Sequence, residues 1–467
     1  MHTSTTSTAA LEPWSIEQLQ QATQGYWLND KKPAGQIKRI LTDSRDAEAG
    51  DAFLALKGER FDAHDFIAQV AAQGCEIAIV SRPVDADICQ LVVEDTRLAL
   101  GQLGAYRRQQ NPQLKVIALT GSSGKTTTKE MLGSILSRLA PTLVTRGNLN
   151  NDLGVPVMLL ELRPEHQYAV MELGASHQGE IDYTSKMVQP HVAGIFNIGT
   201  AHLGEFGGRD GICRAKSEIY AHISETSIIP AADDFAEVIR AAVRTEKSLS
   251  FGAGGEVYAS DVVLEAQSSS FTLNTAQGSK TVQLPFAGEH NVENATAAAA
   301  FALAIGIGLD DIVAGLEQAV GAKGRLNFIP HKDYLFIDDT YNANPGSMRA
   351  AAEVLAQQQG IRVMVTGDIG ELGSSAAIEH YKLGRDLVSV KGINFVVAVG
   401  EFAPAAQEGA RSTQYGKKMQ AFLNQEQALP FLIRLIETHQ PQPMSFLFKG
   451  SRFTHMETLM AALMEKL

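Results

Sequence analysis

The segment most informative about the architecture reads Thr120-Gly121-Ser122-Ser123-Gly124-Lys125-Thr126-Thr127. A short apolar run, Val116–Leu119, precedes it, and a helix-like stretch, Lys125–Leu139, follows it. A Gly-rich loop between a strand and a helix lets backbone N–H groups and the helix N-terminus meet phosphate oxygens. Leu119 stands where the full P-loop pattern has glycine, so this is a shortened form. A plain strand–helix turn is the alternative, but the flanking pattern favours nucleotide binding.

Strand and helix patterns alternate on both sides of this loop. Apolar strand-like runs recur at Ala169–Leu173 and Val192–Ile198, and from about residue 328 short strands again precede polar loops and helices. This alternation predicts an α/β fold with a mostly parallel, doubly wound sheet. Residues 257–284 alternate between apolar and polar, which predicts a small antiparallel ribbon. Ligands of open α/β sheets bind beyond the strand C-termini, so polar residues there are the functional candidates.

The length of 467 residues suggests about three domains. We place one boundary at Asn111-Pro112, and the second where the strand–loop–helix rhythm resumes. The predicted divisions are a disordered tail over residues 1–12, a small α/β domain over 13–110, a central domain over 111–327 and a C-terminal domain over 328–467.

Composition excludes several classes of protein. The net charge of −12 argues against a main role in binding nucleic acid or an anionic membrane. The three cysteines form no CxxC pair, which favours a reducing compartment without disulfides. No apolar run is long enough to span a bilayer, and the Ser/Thr-rich N-terminus does not resemble a secretory signal. We therefore expect a cytoplasmic protein.

Three residues after the loop could serve a metal-dependent reaction. Glu172 ends an apolar strand, where a carboxylate can hold Mg²⁺ or merely cap the structure. His202 follows another strand, although a lone histidine is more often structural. Lys216 lies in a helix-like stretch, and its residue pattern alone favours an ordinary solvated lysine.

Further polar groups cluster near the starts of later helices. Asn291 is a natural helix N-cap, and Asn294 shares its helix face. Residues 338–347 hold two carboxylates, a phenol and two amides after a strand, where a turn capped by Ser347 would explain only part of the pattern. Lys449 and Arg452 flank a Gly-Ser turn and could clamp a carboxylate or phosphate.

Taken together, these segments resemble the Mur ligase family of peptidoglycan precursor synthesis, over nearly the whole chain after its first dozen residues. The double serine in the loop is similar to the branch of this family that adds D-alanyl-D-alanine. More specific are the segments 57–66 (Lys-Gly-Glu-Arg-Phe-Asp-Ala-His-Asp-Phe) and 339–345 (Asp-Thr-Tyr-Asn-Ala-Asn-Pro), while 148–152 and 172–175 also fit this branch.

The resemblance implies a UDP-sugar-binding domain, a central ATP-binding domain and a C-terminal Rossmann-like domain. It implies an ATP-dependent carboxylate–amine ligase with two Mg²⁺ ions. ATP would phosphorylate the terminal carboxylate of UDP-N-acetylmuramoyl-tripeptide, and the amine of D-alanyl-D-alanine would attack the acyl phosphate. No nucleic-acid partner, membrane insertion or oligomer is expected.

The resemblance also assigns roles to residues of this chain. Thr126, Glu172, His202 and a carbamylated Lys216 would hold metal, and Lys125, Glu172, His202 and Lys216 would serve catalysis. ATP would contact Thr120, Gly121, Ser122, Ser123, Gly124, Lys125, Thr126, Thr127, Asn291, Asn294, Arg325 and Asp339. The substrates would contact Ser44, Arg45, Lys57, Asp62, Ala63, His64, Asn148, Asn150, Asn151, Tyr341, Asn342, Asn344, Ser347, Lys449 and Arg452.

Three alternatives stay open. A P-loop kinase would release a phosphorylated small molecule without needing an amine. A nucleotide-switched binding module would bind ATP without turnover. A folylpolyglutamate synthase-like ligase is the nearest competitor within the family, although the loop residues disfavour it.

Overall fold

The computed structural model describes residues 11–58, 61–200 and 203–467, with only the backbone at Leu203. Residues 1–10 of the predicted tail and His202 lie outside this range. The chain divides into two compact units. The first comprises Met1–Ala118, Ala140–Gly174 and Glu180–His191, and the second Leu119–Leu139, Ala175–Gly179 and Val192–Leu467. No described helix combines the length and apolar character needed to cross a membrane.

Helices and strands alternate along the described residues. The helices are α1 (Ile16–Thr23), α2 (Ile67–Ala72), α3 (Thr96–Gln109), α4 (Lys125–Ser137), α5 (Gly154–Leu160), α6 (Glu180–Val188), α7 (Leu203–Phe206), α8 (Arg209–Ser217), α9 (Ala236–Ala242), α10 (Glu289–Ala304), α11 (Leu309–Glu317), α12 (Pro345–Ala356), α13 (Ala376–Ser389), α14 (Ala403–Arg411), α15 (Gln425–His439) and α16 (Met456–Lys466). The strands are β1 (Tyr26–Trp27), β2 (Ile40–Leu41), β3 (Ala52–Leu54), β4 (Ile77–Val80), β5 (Cys89–Val92), β6 (Lys115–Thr120), β7 (Thr142–Val144), β8 (Tyr168–Glu172), β9 (Val192–Ile195), β10 (Thr226–Pro230), β11 (Lys247–Phe251), β12 (Tyr258–Leu264), β13 (Ser269–Thr275), β14 (Gly278–Leu284), β15 (Asn327–His331), β16 (Tyr334–Asp339), β17 (Ile361–Gly367), β18 (Phe395–Val399), β19 (Met419–Phe422) and β20 (Met444–Lys449).

The first unit contains a five-stranded sheet in the order β1-β5-β4-β3-β2. Only the pair β1–β5 is antiparallel. Strand β4 is apolar throughout because each of its faces is covered: Ile77 and Ile79 belong to one buried cluster, and Ala78 and Val80 to another. Such continuous burial is typical of parallel strands with helices on both faces. The same unit also contains the parallel pair β7–β8.

In the second unit, β9, β10 and β11 form consecutive parallel pairs. Strands β12, β13 and β14 form an antiparallel sheet, which confirms the ribbon predicted for residues 257–284. Helix α10 begins after Gly288, so Asn291 lies inside the helix and does not cap it, contrary to the sequence-based expectation. Its side chain instead donates a hydrogen bond to the carbonyl oxygen of Ala287, at 2.8 Å.

The C-terminal part of the second unit is a six-stranded sheet in the order β15-β16-β20-β17-β18-β19. Strand β15 is antiparallel to β16, and the other neighbours are parallel. The two faces of the sheet are covered by separate apolar clusters, as a doubly wound fold requires. Asp339 and Lys449 occupy paired positions at the C-terminal ends of β16 and β20. The predicted α/β class is therefore confirmed. The three-domain boundaries stay a prediction, and the second of them falls just inside β15.

Candidate functional site

The Gly-rich loop connects the last residue of β6, Thr120, to the start of α4 at Lys125. Gly124 precedes the helix with φ +81°, a conformation that glycine adopts readily. A Cβ atom there would lie 2.3 Å from Asn294 Oδ1, so close packing also requires glycine. The Lys125 ammonium donates a hydrogen bond to the Gly121 carbonyl at 2.9 Å. The strand–loop–helix predicted from the sequence is therefore present.

Asn197, which the sequence analysis did not single out, holds this loop. Its Oδ1 atom accepts hydrogen bonds from the backbone N–H groups of Ser122 and Ser123, at 2.9 and 3.0 Å. Its Nδ2 atom donates to the Ser123 carbonyl at 3.0 Å. The available sequence signal was a lone carboxamide near the C-terminal end of the otherwise apolar run Val192–Ile198, since functional polar groups of parallel sheets lie near strand C-termini.

Two hydroxyl groups of the loop are buried without a hydrogen-bond partner among the described residues. They are Thr120 Oγ1 and Ser122 Oγ. Thr120 is fully buried and Ser122 is 4% exposed. An unsatisfied buried hydroxyl costs free energy unless a ligand completes it. These atoms suit a loop that receives phosphate oxygens.

The two predicted asparagines of α10 are buried and bonded to each other. Asn294 Nδ2 donates to Asn291 Oδ1 at 3.1 Å, and Asn294 Oδ1 accepts from the Thr128 hydroxyl at 3.3 Å. The pair therefore packs against the beginning of α4 and beside Gly124.

Residues from the C-terminal part of the second unit also contact the loop. Arg325 Nη2 donates to the Thr126 hydroxyl at 3.4 Å, and the guanidinium lies 4.5 Å from the ring centre of Tyr341. Asn344 Nδ2 donates to Ser123 Oγ at 2.8 Å. Positions that are some 200 residues apart in the sequence thus meet at one loop.

Asn344, rather than Ser347, caps helix α12. Its side chain accepts a hydrogen bond from the Ser347 N–H, and the Ser347 hydroxyl accepts one from the Asn344 N–H. The alternative account of this segment, a turn capped by Ser347, is therefore not present, because Ser347 occupies the third helical position of a capping box.

Lys449 and Asp339 form a buried ion pair at the end of β16 and β20. Lys449 Nζ lies 2.7 Å from Asp339 Oδ2 and 3.0 Å from the carbonyl oxygen of Asn342. Burial raises the pKa of Asp339 and lowers the pKa of Lys449, while their mutual attraction opposes both shifts. Arg452, in contrast, is exposed and pairs with Glu457 at 3.0 Å.

In the first unit, Glu172 ends β8 as predicted and is 2% exposed. Its Oε1 atom accepts a hydrogen bond from Asn150 Nδ2 at 2.6 Å, while Oε2 is buried without a partner among the described residues. Asn151 Oδ1 accepts from the Gly154 N–H, and Asn148 is exposed. A carboxylate that is held in place through one oxygen, while its other oxygen has no hydrogen-bond partner, is chemically suited to bind a hard cation.

The remaining predicted metal ligands are less closely defined. Lys216 is buried on α8, at 2% exposure, and is not the solvated lysine that the residue pattern alone favoured. His202 lies outside the described residues. Within the described ranges, no three His, Cys, Asp or Glu side chains form a ready metal cluster.

The predicted nucleotide-sugar residues lie on two turns of the first unit. On one, Ser44 and Arg45 begin a short 3-10 turn, and the hydrogen bonds of Arg45 lower the pKa of Asp43 to about 2. On the other, the backbones of Lys57 and Asp62 form an isolated antiparallel β-bridge, and Ala63 and His64 follow in a short 3-10 helix.

The second turn contains a well-defined hydrogen-bond network. His64 Nε2 accepts from the Ser81 N–H at 3.0 Å, so the proton of the neutral ring lies on Nδ1, which contacts Asp62 at 2.6 Å. Although burial acts to raise it, the pKa of Asp62 falls to about 2 because His64 and Arg82 donate to the carboxylate.

Comparison with known proteins gives a consistent result along the chain. Three family models match successive segments: "Mur ligase family, catalytic domain" over residues 36–116, "Mur ligase middle domain" over 119–302, and "Mur ligase, glutamate ligase domain" over 324–452.

Full-length relatives are also found. The UDP-N-acetylmuramoyl-tripeptide–D-alanyl-D-alanine ligase of Escherichia coli is 43% identical over 92% of this chain and 94% of its own length. A crystal structure of MurF from Acinetobacter baumannii is 72% identical, with a TM-score of 0.95 over 98% of this chain and 100% of that one. The structure of MurF ligase from Thermotoga maritima in complex with ADP is 28% identical, with a TM-score of 0.81 over 92% of this chain and 97% of that one.

Proposed function

Because this chain belongs to the Mur ligase family, we propose that it joins D-alanyl-D-alanine to UDP-N-acetylmuramoyl-tripeptide at the expense of ATP. The product is the UDP-muramoyl-pentapeptide precursor of peptidoglycan. The observation that carries this proposal is the loop of residues 120–127, which presents a lysine and unsatisfied hydroxyl groups at a helix N-terminus. The two substrates are proposed from the activity for which the relatives are named.

The reaction requires an activated carboxylate. A carboxylate oxygen of the tripeptide attacks the γ-phosphorus of ATP, and the bond to the bridging oxygen breaks to release ADP. The dipeptide amine then attacks the acyl phosphate carbon, loses a proton, and expels inorganic phosphate as the amide forms. The first step brings together two anions, so the site must supply positive charge.

The loop residues account for that charge. Lys125 begins α4 and would neutralise the transferring phosphoryl group, while Thr120, Gly121, Ser122, Ser123, Thr126 and Thr127 would surround the phosphates. Arg325 contacts Thr126 and would add a second cation. Asn294 and Asn291 shape the loop beside Gly124, and Asp339 would meet the ribose.

Residues suited to hard cations support two Mg²⁺ sites. By the family pattern, the metal-holding residues would be Thr126, Glu172, His202 and a carbamylated Lys216. When bound, Mg²⁺ would offset negative charge between the attacking carboxylate and the phosphate. The unsatisfied Oε2 atom of Glu172 is the structural support for this assignment.

The remaining substrate assignments follow the family pattern. The turns with Ser44, Arg45, Lys57, Asp62, Ala63 and His64 would bind the nucleotide sugar, and Asn148, Asn150 and Asn151 would lie along the substrate. Tyr341, Asn342, Asn344, Ser347, Lys449 and Arg452 would define the dipeptide side. We further propose a UDP-sugar-binding domain over 13–110, an ATP-binding domain over 111–327, a Rossmann-like domain over 328–467, and a cytoplasmic monomer.

One experiment separates this function from its rivals. Phosphate release from Mg·ATP is measured with UDP-muramoyl-tripeptide, with and without D-alanyl-D-alanine, while the product mass is followed. Release that needs both substrates and yields the pentapeptide supports the ligase. Phosphorylated product without the dipeptide would favour a kinase, and turnover with a folate and glutamate would favour the other ligase.

A further inference from the structure

Asn197 lies at the point where β9 meets the phosphate loop. The Phe196 N–H donates to the Thr120 carbonyl at 3.1 Å, so the segment after β9 runs beside the end of β6. The Phe196 ring fills the space next to Gly121, where a Cβ atom would lie 2.5 Å away. The backbone of residues 196–197 is thus held against the loop independently of the Asn197 side chain.

We propose that Asn197 is a positioning residue that selects which loop N–H groups face the phosphates of ATP; this rests on the function proposed above. Its Oδ1 atom already accepts from the N–H groups of Ser122 and Ser123. Those two donors therefore point at protein and away from the ligand. The donors left for phosphate include the N–H groups of Thr126 and Thr127 in the first turn of α4, which lack an intrahelical acceptor by helix geometry.

The same arrangement orients the loop side chains. With its backbone fixed through Asn197, Ser122 keeps its hydroxyl buried without a partner among the described residues, and a phosphate oxygen would satisfy it. Ser123 has its N–H and its carbonyl both bonded to Asn197, while its hydroxyl accepts from Asn344.

The chemistry of the contact requires a carboxamide. Oδ1 meets two donors and Nδ2 meets the Ser123 carbonyl, so the amide has one orientation in which all three contacts are favourable. An aspartate has the same shape and can still accept from both N–H groups. Its second oxygen would face the Ser123 carbonyl, and its charge would oppose the phosphates.

The test compares Asn197→Asp with Asn424→Asp. Asn424 is exposed and caps α15, a role that aspartate also performs well, so this control adds the same charge and keeps the cap. Isothermal titration calorimetry with Mg·ADP measures nucleotide affinity in the full-length proteins. Steady-state kinetics then separates KM for ATP from KM for the two other substrates.

We expect Asn197→Asp to bind Mg·ADP at least about tenfold more weakly, since it loses one hydrogen bond and gains repulsion. KM for ATP should rise while KM for D-alanyl-D-alanine stays near the wild-type value, a split that general destabilisation would not produce. Asn424→Asp should match the wild type. An unchanged Mg·ADP affinity in Asn197→Asp would overturn the inference alone, whereas a wild-type protein that binds no Mg·ADP would overturn the proposed function as well.

A second measurement uses only the wild-type protein and so does not depend on how the variant folds. Hydrogen exchange resolved to single residues should show slow exchange at the Ser123 N–H without nucleotide, because Asn197 Oδ1 already accepts from it. The Ser122 N–H should also exchange slowly, since it donates both to Oδ1 and to the Asn197 carbonyl at 3.2 Å. Adding Mg·ADP should instead slow the hydrogen exchange of the Thr126 and Thr127 N–H groups. Fast exchange at Ser122 and Ser123 in the nucleotide-free protein would overturn the assignment.

Discussion

The buried ion pair between Lys449 and Asp339 gives a quantitative prediction. Lys449→Met keeps most of the side-chain length and apolar volume but removes the charge. The change deletes hydrogen bonds of 2.7 Å to Asp339 Oδ2 and 3.0 Å to the Asn342 carbonyl. It leaves the carboxylate of Asp339, which is 6% exposed, without its nearest counter-ion.

The magnitude follows from this geometry. Removing one partner of a buried pair costs about 3–5 kcal/mol, because the other charge stays desolvated. The Arg325 guanidinium also lowers the pKa of Asp339 and is still present in the variant. We therefore expect the lower end of that range, about 3 kcal/mol, which corresponds to a roughly hundredfold change in an opening equilibrium.

Hydrogen–deuterium exchange is the suitable assay, because a chain of this size unfolds in more than one step and has no single free energy of unfolding. Peptides from β16 and β20 report on the local opening free energy around the pair. Lys382→Met is the matched control: Lys382 is half-exposed and pairs with Glu379 at 2.8 Å. An exposed pair contributes only about 0–1 kcal/mol.

The pH dependence of the stability loss tests whether the charge of Asp339 is its cause. Without Lys449 the folded pKa of Asp339 rises further above its unfolded value, so the loss of stability is largest at neutral pH. As the pH falls, Asp339 takes up a proton and the difference between variant and wild type should shrink. Asp339→Asn added to Lys449→Met should recover much of the loss. A loss below about 1 kcal/mol, or one that is the same at every pH, would show that the charge of Asp339 is not the cause.

Three further predictions concern single residues. Lys125→Ala should lower kcat for phosphate release by at least about 100-fold, since it strips charge from the phosphoryl site, and near-normal kcat would exclude the phosphate-loop assignment. Lys216→Ala should lose activity that short carboxylic acids partly restore, and full activity without them would argue against carbamylation. Burial, together with the charge of Lys449, lowers the pKa of His290 to about 4 from 6.5, so the unfolded chain binds more protons between these values. Stability should therefore decline by about 3 kcal/mol as the pH falls through this window, whereas His290→Gln should flatten the dependence measured by hydrogen exchange; equal slopes in both proteins would contradict this.

The sequence predicted elements well where the pattern is local. The strand predicted at Ala169–Leu173 matches β8 within one residue at each end, and the one predicted at Val192–Ile198 begins with β9, because a buried parallel strand is a largely apolar run of neighbouring residues. The start of α4 was also predicted at Lys125, since a Gly-rich loop before a periodic stretch marks a helix N-terminus.

Caps and long-range contacts were predicted less well. Asn291 and Ser347 both suit an N-cap by residue type, yet Gly288 and Asn344 take that position. Residue preference cannot decide between polar residues a few positions apart, because the helix begins where packing places its first turn. The contact of Lys449 with Asp339 was not predicted, because only the register of β20 against β16 brings the two side chains together.

The α/β class, the position of the phosphate loop and the resemblance to a family of ligases could all be read from the amino-acid sequence, because they depend on runs of neighbouring residues. The side chains that complete the loop become clear only in the folded chain. Asn197 and Asn344 contact Ser123 across 74 and 221 residues. Such partners are set by strand order and helix packing, and a hydrogen bond forms only where both groups reach within about 3 Å. No local pattern carries that information.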